Sequence, residues 1–205
     1  MTQPFDPSSI AYYEENSDQF TAGTVAVDMS GLYEPFLRHI PDGGHILDLG
    51  CGSGRDAKFF AERSYDVVAI DASSEMVAAT RNLTKAEVRQ MRFDEMDYLN
   101  EFNGIWACAS LLHVPEQFLK DVMRKCLRAL KAEGALFLSF KYGTSERKVG
   151  GRLFTDLDER KLEAILGTLE YELSVNQWIT SDARPNRSHE KWLNAIILRD
   201  AQEAA

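Results

Sequence analysis

Short apolar runs alternate with longer amphipathic segments along the chain from about Ile46 onward. Five of these runs are rich in β-branched or bulky apolar residues, which favour strands. The predicted strands are HILDLG (45–50), DVVAID (66–71), VRQMRF (88–93), GIWACAS (104–110) and ALFLSFKY (135–142). Because longer segments separate them, the pattern predicts an α/β fold in which helices cover a parallel sheet.

The segments between the strands have the length and spacing of helices. We predict helices over 56–63, 74–83 and 116–130, and Phe118 and Val122 illustrate the helical spacing of apolar residues in the last of these. Crossover helices of this kind place neighbouring strands parallel to one another.

The two ends of the chain extend this pattern. Thr155, with Asp158 three residues later, predicts a capping box that opens a further helix. YELSVNQWIT (171–180) and KWLNAIILRD (191–200) flank a polar loop and predict a hairpin that ends the sheet antiparallel. Residues 8–40 are predicted to form one or two helices, which we interpret as a lid or side layer.

Length and charge restrict the class of protein and of partner. A chain of 205 residues without repeats or a Pro/Gly/Ser-rich linker fits a single domain. The formal net charge of −9 and the pI near 5.0 work against binding to nucleic acid, because such binding depends on Lys and Arg neutralising phosphates. Arg184 and Arg187 are the only clustered basic pair in a loop-forming segment. We therefore expect a small-molecule substrate, and a monomer or weak homodimer.

The cysteines and the apolar content indicate the compartment. Cys51, Cys108 and Cys126 are odd in number and have no CxxC spacing, so neither a disulfide framework nor a zinc site is predicted. No stretch approaches the roughly 20 apolar residues of a membrane span, and the N-terminus lacks the features of a secretion signal. We expect a cytoplasmic protein with reduced thiols and no metal site.

Glycines occupy the turn between the first strand and the next helix, in HILDLGCGSGRD. Gly50, Gly52 and Gly54 tolerate positive φ, and the missing Cβ lets a ligand approach the backbone closely. About 20 residues later the second strand ends in Asp71, where doubly wound nucleotide-binding folds place an acid for ribose hydroxyls. The spacing predicts an adenosine-binding site.

The loop departs from the dinucleotide fingerprint G-x-G-x-x-G. Arg55 stands where that pattern has its third glycine, and Asp48 precedes the loop, where a carboxylate would repel pyrophosphate but would suit a ligand ammonium. These two residues count against an NAD-dependent oxidoreductase. They favour a phosphate-free adenosine ligand with an amino acid tail.

Together, DLGCGSG, the strand-end Asp71 and the run WACASLLHV (106–114) resemble the class I S-adenosylmethionine (SAM)-dependent methyltransferase family, and within it the small-molecule branch of tellurite-resistance-type methyltransferases. The resemblance implies a three-layer, Rossmann-like fold with a seven-stranded sheet ordered 3-2-1-4-5-7-6 and strand 7 antiparallel. It also implies N-terminal lid helices over 1–42, a SAM-binding core over 43–142, and a C-terminal helix and hairpin over 143–205. Asn103 and KAEG (131–134) depart from the family pattern, at positions that do not normally contact SAM.

The resemblance also implies which residues contact SAM, whose product is S-adenosylhomocysteine (SAH). The methionine part would be held at the first strand, the ribose and adenine at the second and third, and the amine by a carbonyl of the fourth. The residues in these positions are Asp48, Gly50, Cys51, Gly52, Asp71, Ala72, Met76, Asp94, Glu95 and Ala107.

Candidates for catalysis and acceptor binding lie on the same rim of the predicted sheet. His113 follows the fourth strand, and imidazole titrates near neutrality, so His113 is a candidate general base. The alternative is that His113 has a structural role. The candidates for acceptor binding are Tyr13, Lys141, Tyr142, Arg152 and Arg184. We interpret Cys51 and Cys108 as small buried residues and not as nucleophiles.

The predicted activity is in-line transfer of the SAM methyl group to a small molecule. No strong base is evident, which favours an acceptor that is already nucleophilic, such as a thiol, selenide, tellurite-type oxyanion or neutral amine. Alternatives are a non-catalytic SAM-binding sensor or partner protein, an NAD-dependent oxidoreductase, and an RNA methyltransferase.

Overall fold

The computed structural model describes residues 3–200. The helices are α1 (Pro7–Glu15), α2 (Ser17–Thr24), α3 (Ser30–Leu37), α4 (Arg55–Ala61), α5 (Ser74–Leu83), α6 (Glu116–Ala129) and α7 (Glu159–Leu166), with 3-10 helices at Phe93–Glu95 and Leu111–His113. The strands are β1 (His45–Leu49), β2 (Asp66–Asp71), β3 (Glu87–Gln90), β4 (Phe102–Cys108), β5 (Leu130–Lys141), β6 (Glu146–Val149), β7 (Arg152–Thr155), β8 (Leu173–Ser181) and β9 (Lys191–Arg199). None of the helices within residues 3–200 is both long and apolar enough to cross a membrane.

Seven strands form one sheet in the order β3-β2-β1-β4-β5-β9-β8. The first five are parallel, and β9 runs antiparallel to both β5 and β8. This is the α/β order that the resemblance implies, with β9 as the antiparallel strand. The order places the carboxyl ends of β1, β2, β4 and β5 on the same edge as the loop between β8 and β9.

A hydrophobic layer packs on each face of the sheet. One layer includes Leu119 and Leu127 of α6 together with Leu162 of α7, packed against alternate residues of the strands. The other contains Phe36 of α3 and Phe60 of α4. The central strands β1, β2, β4, β5 and β9 are therefore mostly buried on both faces, which explains their nearly continuous apolar sequences.

The first helix is attached to the carboxyl edge of the sheet by polar contacts. The Glu14 carboxylate accepts a hydrogen bond of 2.6 Å from the backbone N–H of Ser74, at the start of α5. Ser9 Oγ accepts one of 2.9 Å from the N–H of Leu153, and Asp6 pairs with Lys148 at 2.8 Å. These contacts hold α1 against both the core and the small hairpin formed by β6 and β7.

Several predicted boundaries are corrected by the structure. The third strand ends at Gln90, and Phe93 instead belongs to a 3-10 helix. The fifth strand begins at Leu130, five residues before its predicted start, because Leu130 pairs with Phe102 before an irregularity shifts the register to Ala135 opposite Gly104. The N-terminal segment forms three helices where one or two are predicted.

The capping box predicted from Thr155 is wrong. Thr155 ends β7, and its hydroxyl donates to the carbonyl of Val114 at 2.8 Å. The helix is capped instead by Asp158, whose side chain accepts from the N–H of Lys161 at 2.8 Å. The two-stranded sheet of β6 and β7 is not predicted by the sequence pattern.

A buried carboxylate joins three elements beside the glycine turn. Asp56, in the first turn of α4, accepts two hydrogen bonds from Arg55, at 2.6 and 2.8 Å. Tyr33 of α3 donates to it at 2.5 Å, and Trp106 of β4 donates at 2.9 Å. These donors lower the pKa of Asp56, although burial opposes ionisation.

We predict that Tyr33→Phe lowers the free energy of unfolding by about 1–3 kcal/mol, because it removes a hydrogen bond to a buried charged group while keeping the ring. Urea unfolding of the purified protein measures this. Tyr65→Phe is the matched control, since Tyr65 also packs on Phe60 but lies outside the Asp56 network. Equal effects of the two substitutions would contradict the assigned role of the hydroxyl.

Candidate functional site

The turn after β1 is compact because three glycines adopt positive φ: Gly50 at 83°, Gly52 at 51° and Gly54 at 79°. A Cβ at Gly50 would lie 2.5 Å from Cβ of Ser110, and one at Gly52 would lie 3.2 Å from the ring of Phe20. The turn is therefore enclosed by the exit of β4 on one side and by α2 on the other. Any side chain there would displace these walls.

Asp71 ends β2 next to this turn. Its carboxylate accepts hydrogen bonds from the N–H groups of Gly52, at 3.0 Å, and Ser73, at 2.9 Å. Burial raises the pKa of Asp71 to about 6, and the two N–H donors oppose that rise. Each oxygen keeps a second lone pair, so the group can still accept hydrogen bonds from a ligand.

The turn and Asp71 open onto a cavity of about 660 Å³, which is within the usual range of ~300–1,000 Å³ for small-molecule sites. The cavity extends from β2 to the loop between β8 and β9, and α1 and α2 form part of its wall. The predicted site residues that line it are Tyr13, Gly50, Cys51, Gly52, Asp71, Ala72, Asp94, His113, Lys141, Arg152 and Arg184.

Five other predicted site residues lie outside this lining, namely Asp48, Met76, Glu95, Ala107 and Tyr142. Asp48, Met76 and Ala107 are buried behind the wall. Tyr142 is 43% exposed, and its hydroxyl donates to Glu159 at 3.1 Å. Tyr142 is thus engaged at the surface.

Asp48 is a buried acid near Asp56. Burial raises its pKa, and the proximity of Asp56 raises it further. One oxygen of Asp48 has no hydrogen-bond partner among the described residues. Because Asp48 is buried and does not line the cavity, we expect it to act on a ligand through the backbone of the turn.

Tyr13 and His113 form a pair between α1 and the exit of β4. His113 Nδ1 lies 2.6 Å from the carbonyl oxygen of Leu153, which can only accept, so this nitrogen carries the proton. His113 Nε2 therefore accepts from the Tyr13 hydroxyl at 2.8 Å. Burial lowers the pKa of His113 to about 4 and keeps the ring neutral. The Tyr13 ring packs edge-on against Phe20.

Lys141 and Arg184 lie on the cavity wall formed by the end of β5 and the loop between β8 and β9. Both are paired: Lys141 with Glu190 and, at 3.6 Å, with Asp182, and Arg184 with Asp182 through contacts of 2.9 and 2.5 Å. The Arg184 guanidinium holds the pKa of Asp182 well below its usual range. Lys141 thus fastens the loop to β5, and Arg184 is held within the loop.

Ser110 and Asn194 are among the buried polar residues on the cavity wall that sequence reasoning missed. Ser110 Oγ and Asn194 Oδ1 have no hydrogen-bond partner within residues 3–200. The Asn194 amide nitrogen faces Thr180 Oγ1 at 3.0 Å and two backbone carbonyls at 3.4 Å, which fixes Oδ1 on the other side. A single polar residue inside the apolar run WLNAIIL is a signal that could have identified Asn194.

The turn has the features of a site for SAM and not for a dinucleotide. The Arg55 guanidinium beside it is neutralised by Asp56, so the turn offers pyrophosphate no unpaired cation. The closely enclosed glycines, the unpaired hydroxyl of Ser110 and the carboxylate of Asp71 offer backbone and side-chain partners for an adenosine with an amino acid tail.

Comparisons of sequence agree with this assignment. The family model described as a methyltransferase domain matches residues 46–134. Methyltransferase GfsG of Streptomyces halstedii is 29% identical over 143 residues, which are 65% of this chain and 47% of that protein. The cypemycin N-terminal methyltransferase of a Streptomyces species is 24% identical over 98% of this chain and 78% of its own length. The chain thus spans about half of GfsG.

Solved structures share the fold. The 1,6-didemethyltoxoflavin-N1-methyltransferase of Burkholderia thailandensis, with its namesake ligand and SAH bound, superposes with a TM-score of 0.74 at 18% identity, covering 93% of this chain and 85% of that one. The [4+2]-cyclase SpnF superposes with a TM-score of 0.72 at 17% identity, covering 97% and 98%. The same fold therefore occurs in proteins whose names describe different reactions.

The fold, the matched domain and the relatives agree with one another, and SAH is bound in a solved structure of the same fold. Residues 46–134 match a methyltransferase domain and lie within a Rossmann-like fold, and this chain is similar in sequence and fold to methyltransferases, which supports SAM as its cofactor.

Proposed function

We propose that the chain transfers the methyl group of SAM to a small-molecule acceptor by in-line displacement. One observation carries the proposal: the glycine turn with Asp71 and the Tyr13–His113 pair line the same cavity of about 660 Å³. A cofactor bound at the turn and an acceptor bound near the pair would share that space. Such an enclosed volume suits a small acceptor better than a nucleic acid.

For the cofactor, we propose that the backbone of Gly50–Gly52 and the side chains of Asp71 and Asp94 contact SAM directly. Ala72 and Cys51 complete the lining beside them. Asp48, Met76, Glu95 and Ala107 then contribute by supporting the turn and the strand ends. Asp94 is held by two contacts of 3.0 Å from Arg92, which fixes its orientation near the cavity.

SAM supplies a methyl group on an activated sulfonium, so alignment and exclusion of water are the main contributions required of the protein. The aromatic rings of Tyr13 and Phe20 cover the turn from the side of α1 and α2. Glu14 fastens α1 to the start of α5. We infer that these contacts keep water from the space between donor and acceptor.

The Tyr13–His113 pair is poorly suited to strong base catalysis. With a pKa of about 4, His113 accepts a proton weakly at neutral pH, and its Nε2 is already engaged by Tyr13. We propose that His113 is a positioning residue that orients the Tyr13 hydroxyl toward the cavity. This favours acceptors that are nucleophilic without deprotonation.

The relatives do not identify the acceptor, because one is named a cypemycin N-terminal methyltransferase and another a 1,6-didemethyltoxoflavin-N1-methyltransferase. We further propose that the chain belongs with the tellurite-resistance-type branch, so tellurite and selenite are among the acceptors to be tested. We also propose that residues 1–205 work as one unit, in the cytoplasm, as a monomer or weak homodimer.

The notable alternative is a SAM-binding protein without methyl transfer, because the same fold also occurs in a [4+2]-cyclase and so does not establish the reaction. In that case the chain would bind SAM without transferring its methyl group. No feature of the cavity favours this alternative over transfer, and the following experiment separates the two.

The purified protein is incubated with methyl-labelled SAM and a cell extract that has been filtered into small-molecule and macromolecular fractions. We predict labelled product in the small-molecule fraction, and loss of that product with Asp71→Asn. Tellurite and selenite are assayed in parallel. Binding of SAH without labelled product would favour the cyclase or sensor alternative. Label confined to the macromolecular fraction, and lost after nuclease treatment, would favour RNA.

We predict that SAH affinity falls as the pH drops through about 6, because the ionised Asp71 carboxylate accepts ribose hydroxyls and its protonated form accepts them less well. Asp71→Asn is expected to weaken binding about 10- to 100-fold and to remove this pH dependence. Calorimetry from pH 5 to pH 8 measures both. Asp66→Asn, at the exposed opposite end of the same strand, is the control and should bind like the wild type.

We predict that His113 contributes a loss of stability as the pH falls from about 6.5 toward 4, which the raised pKa of Asp71 partly offsets. His113 stays neutral in the fold but takes up a proton in the unfolded chain, so acid favours unfolding. The contribution lost between pH 7 and pH 5 is roughly 1–2 kcal/mol. The free energy of unfolding, measured with urea at pH 7 and pH 5, should fall less between the two pH values for His113→Gln than for the wild type. His39→Gln, at an exposed position, should retain the full difference.

A further inference from the structure

The basic side chains around the cavity are almost all neutralised. Seven Arg and Lys residues line it, and six of them lie within 4.0 Å of a carboxylate. The six pairs are Arg55–Asp56, Arg92–Asp94, Lys141–Glu190, Arg147–Asp156, Arg184–Asp182 and Arg187–Glu190. Arg152 is the seventh, and within residues 3–200 no carboxylate lies within 4.0 Å of its nitrogens.

Aromatic rings surround the Arg152 guanidinium instead of acids. Its central carbon lies 4.2 Å from the ring centroid of Tyr12, 5.1 Å from that of Phe154 and 5.8 Å from that of Tyr13. Stacking on ring faces holds the guanidinium plane while leaving the N–H groups at its edge able to donate. One N–H group points to the Tyr13 hydroxyl at 3.4 Å, and Nε is buried without a partner.

The other polar groups next to Arg152 leave its charge uncompensated. His113 is neutral, and the Tyr13 phenol is also protonated, since burial raises its pKa. Asp6, the N-cap residue of α1, is already paired with Lys148. A half-buried guanidinium in this setting is partly deprived of water without receiving a counter-ion.

The segment that carries Arg152 is firmly held in place. Arg152 opens β7 and pairs with Val149 of β6. The next residue, Leu153, donates its N–H to Ser9 of α1 and accepts from His113. The guanidinium is therefore presented to the cavity by backbone that is anchored on both sides.

We propose that Arg152 binds an anionic group of the methyl acceptor, so that the substrates of this protein are anionic small molecules carrying a carboxylate, a phosphate or another oxyanion. The inference rests on the proposed methyl transfer. The planar fork of N–H donors matches such oxyanions in a bidentate arrangement. The acceptor atom would then be set by the distance between this anion and the SAM site.

The first experiment tests the class of substrate. A small-molecule cell extract is separated on an anion-exchange resin, and the retained and unretained fractions are each incubated with the wild-type protein and methyl-labelled SAM. Labelled product from the retained fraction is expected. Product from the unretained fraction alone would overturn the anionic class while leaving the proposed function intact. Absence of product from both fractions would overturn the proposed function, and this inference with it.

The second experiment tests Arg152 itself on the retained fraction. Arg152→Met keeps an apolar chain among the rings and is expected to raise the apparent KM for the acceptor about 10- to 100-fold, with little change in kcat or in the KM for SAM. Arg152→Lys keeps the positive charge but not the planar fork of donors, so its KM for the acceptor is expected to lie between those of the wild type and Arg152→Met. A merely structural role would instead change the KM for SAM, or kcat, as well.

Arg63→Met is the matched control, because Arg63 also stacks on an aromatic ring, that of Phe59 at 3.6 Å, but lies outside the cavity lining. It is expected to have wild-type kinetics. An acceptor KM for Arg152→Met equal to that of Arg63→Met would overturn the assignment of Arg152.

Discussion

The site depends on one buried carboxylate, Asp56. Its oxygens accept four hydrogen bonds from Arg55, Tyr33 and Trp106, which belong to α4, α3 and β4. A buried charge is tolerated only when it is paired and fully hydrogen-bonded, so these three elements are held in one arrangement. Because α4 follows the glycine turn directly, the same arrangement fixes the turn between β1 and the exit of β4. The pairing also neutralises Arg55, the cation that directly follows the turn.

With the turn fixed, the N-terminal helices complete the cavity through specific polar contacts. Glu14 binds the start of α5, and Tyr13 binds His113, so α1 is located relative to both β2 and β4. Hydrogen bonding of His113 to the carbonyl of Leu153 extends the connection to β7. These contacts join residues 40 to 100 positions apart in sequence, which explains why a single cavity can have walls from nearly every part of the chain.

Much of the fold could be predicted because its signals are local. The apolar strands and the intervening helices follow from periodicity, and the position of Asp71 follows from its spacing to the glycines. The hairpin of β6 and β7 was missed because ERKV (146–149) is exposed and shows no apolar alternation. The helix cap was assigned to Thr155 rather than Asp158 because both are good N-cap residues, and only the fold places Thr155 in a strand.

The site was less predictable because pairing between distant residues decides which charges are available. Lys141, Arg152 and Arg184 are equivalent candidates by sequence. The fold neutralises Lys141 and Arg184 with Glu190 and Asp182, and leaves Arg152 among aromatic rings. Asn194 illustrates the opposite case, since its position within an apolar strand already marked it as unusual.

The distribution of charge within the cavity connects these observations to specificity. Asp71 stands at the end formed by β2, where backbone N–H groups are its only hydrogen-bond donors among the described residues, and Arg152 stands at the end formed by β7 without a carboxylate partner. A protein with a net charge of −9 attracts few anions over its general surface. An anionic molecule would therefore be retained only where a cation is both uncompensated and enclosed, and the fold provides that combination at Arg152. Selection of the acceptor would then depend on the unpaired positive charge of Arg152 in a protein whose net charge is negative.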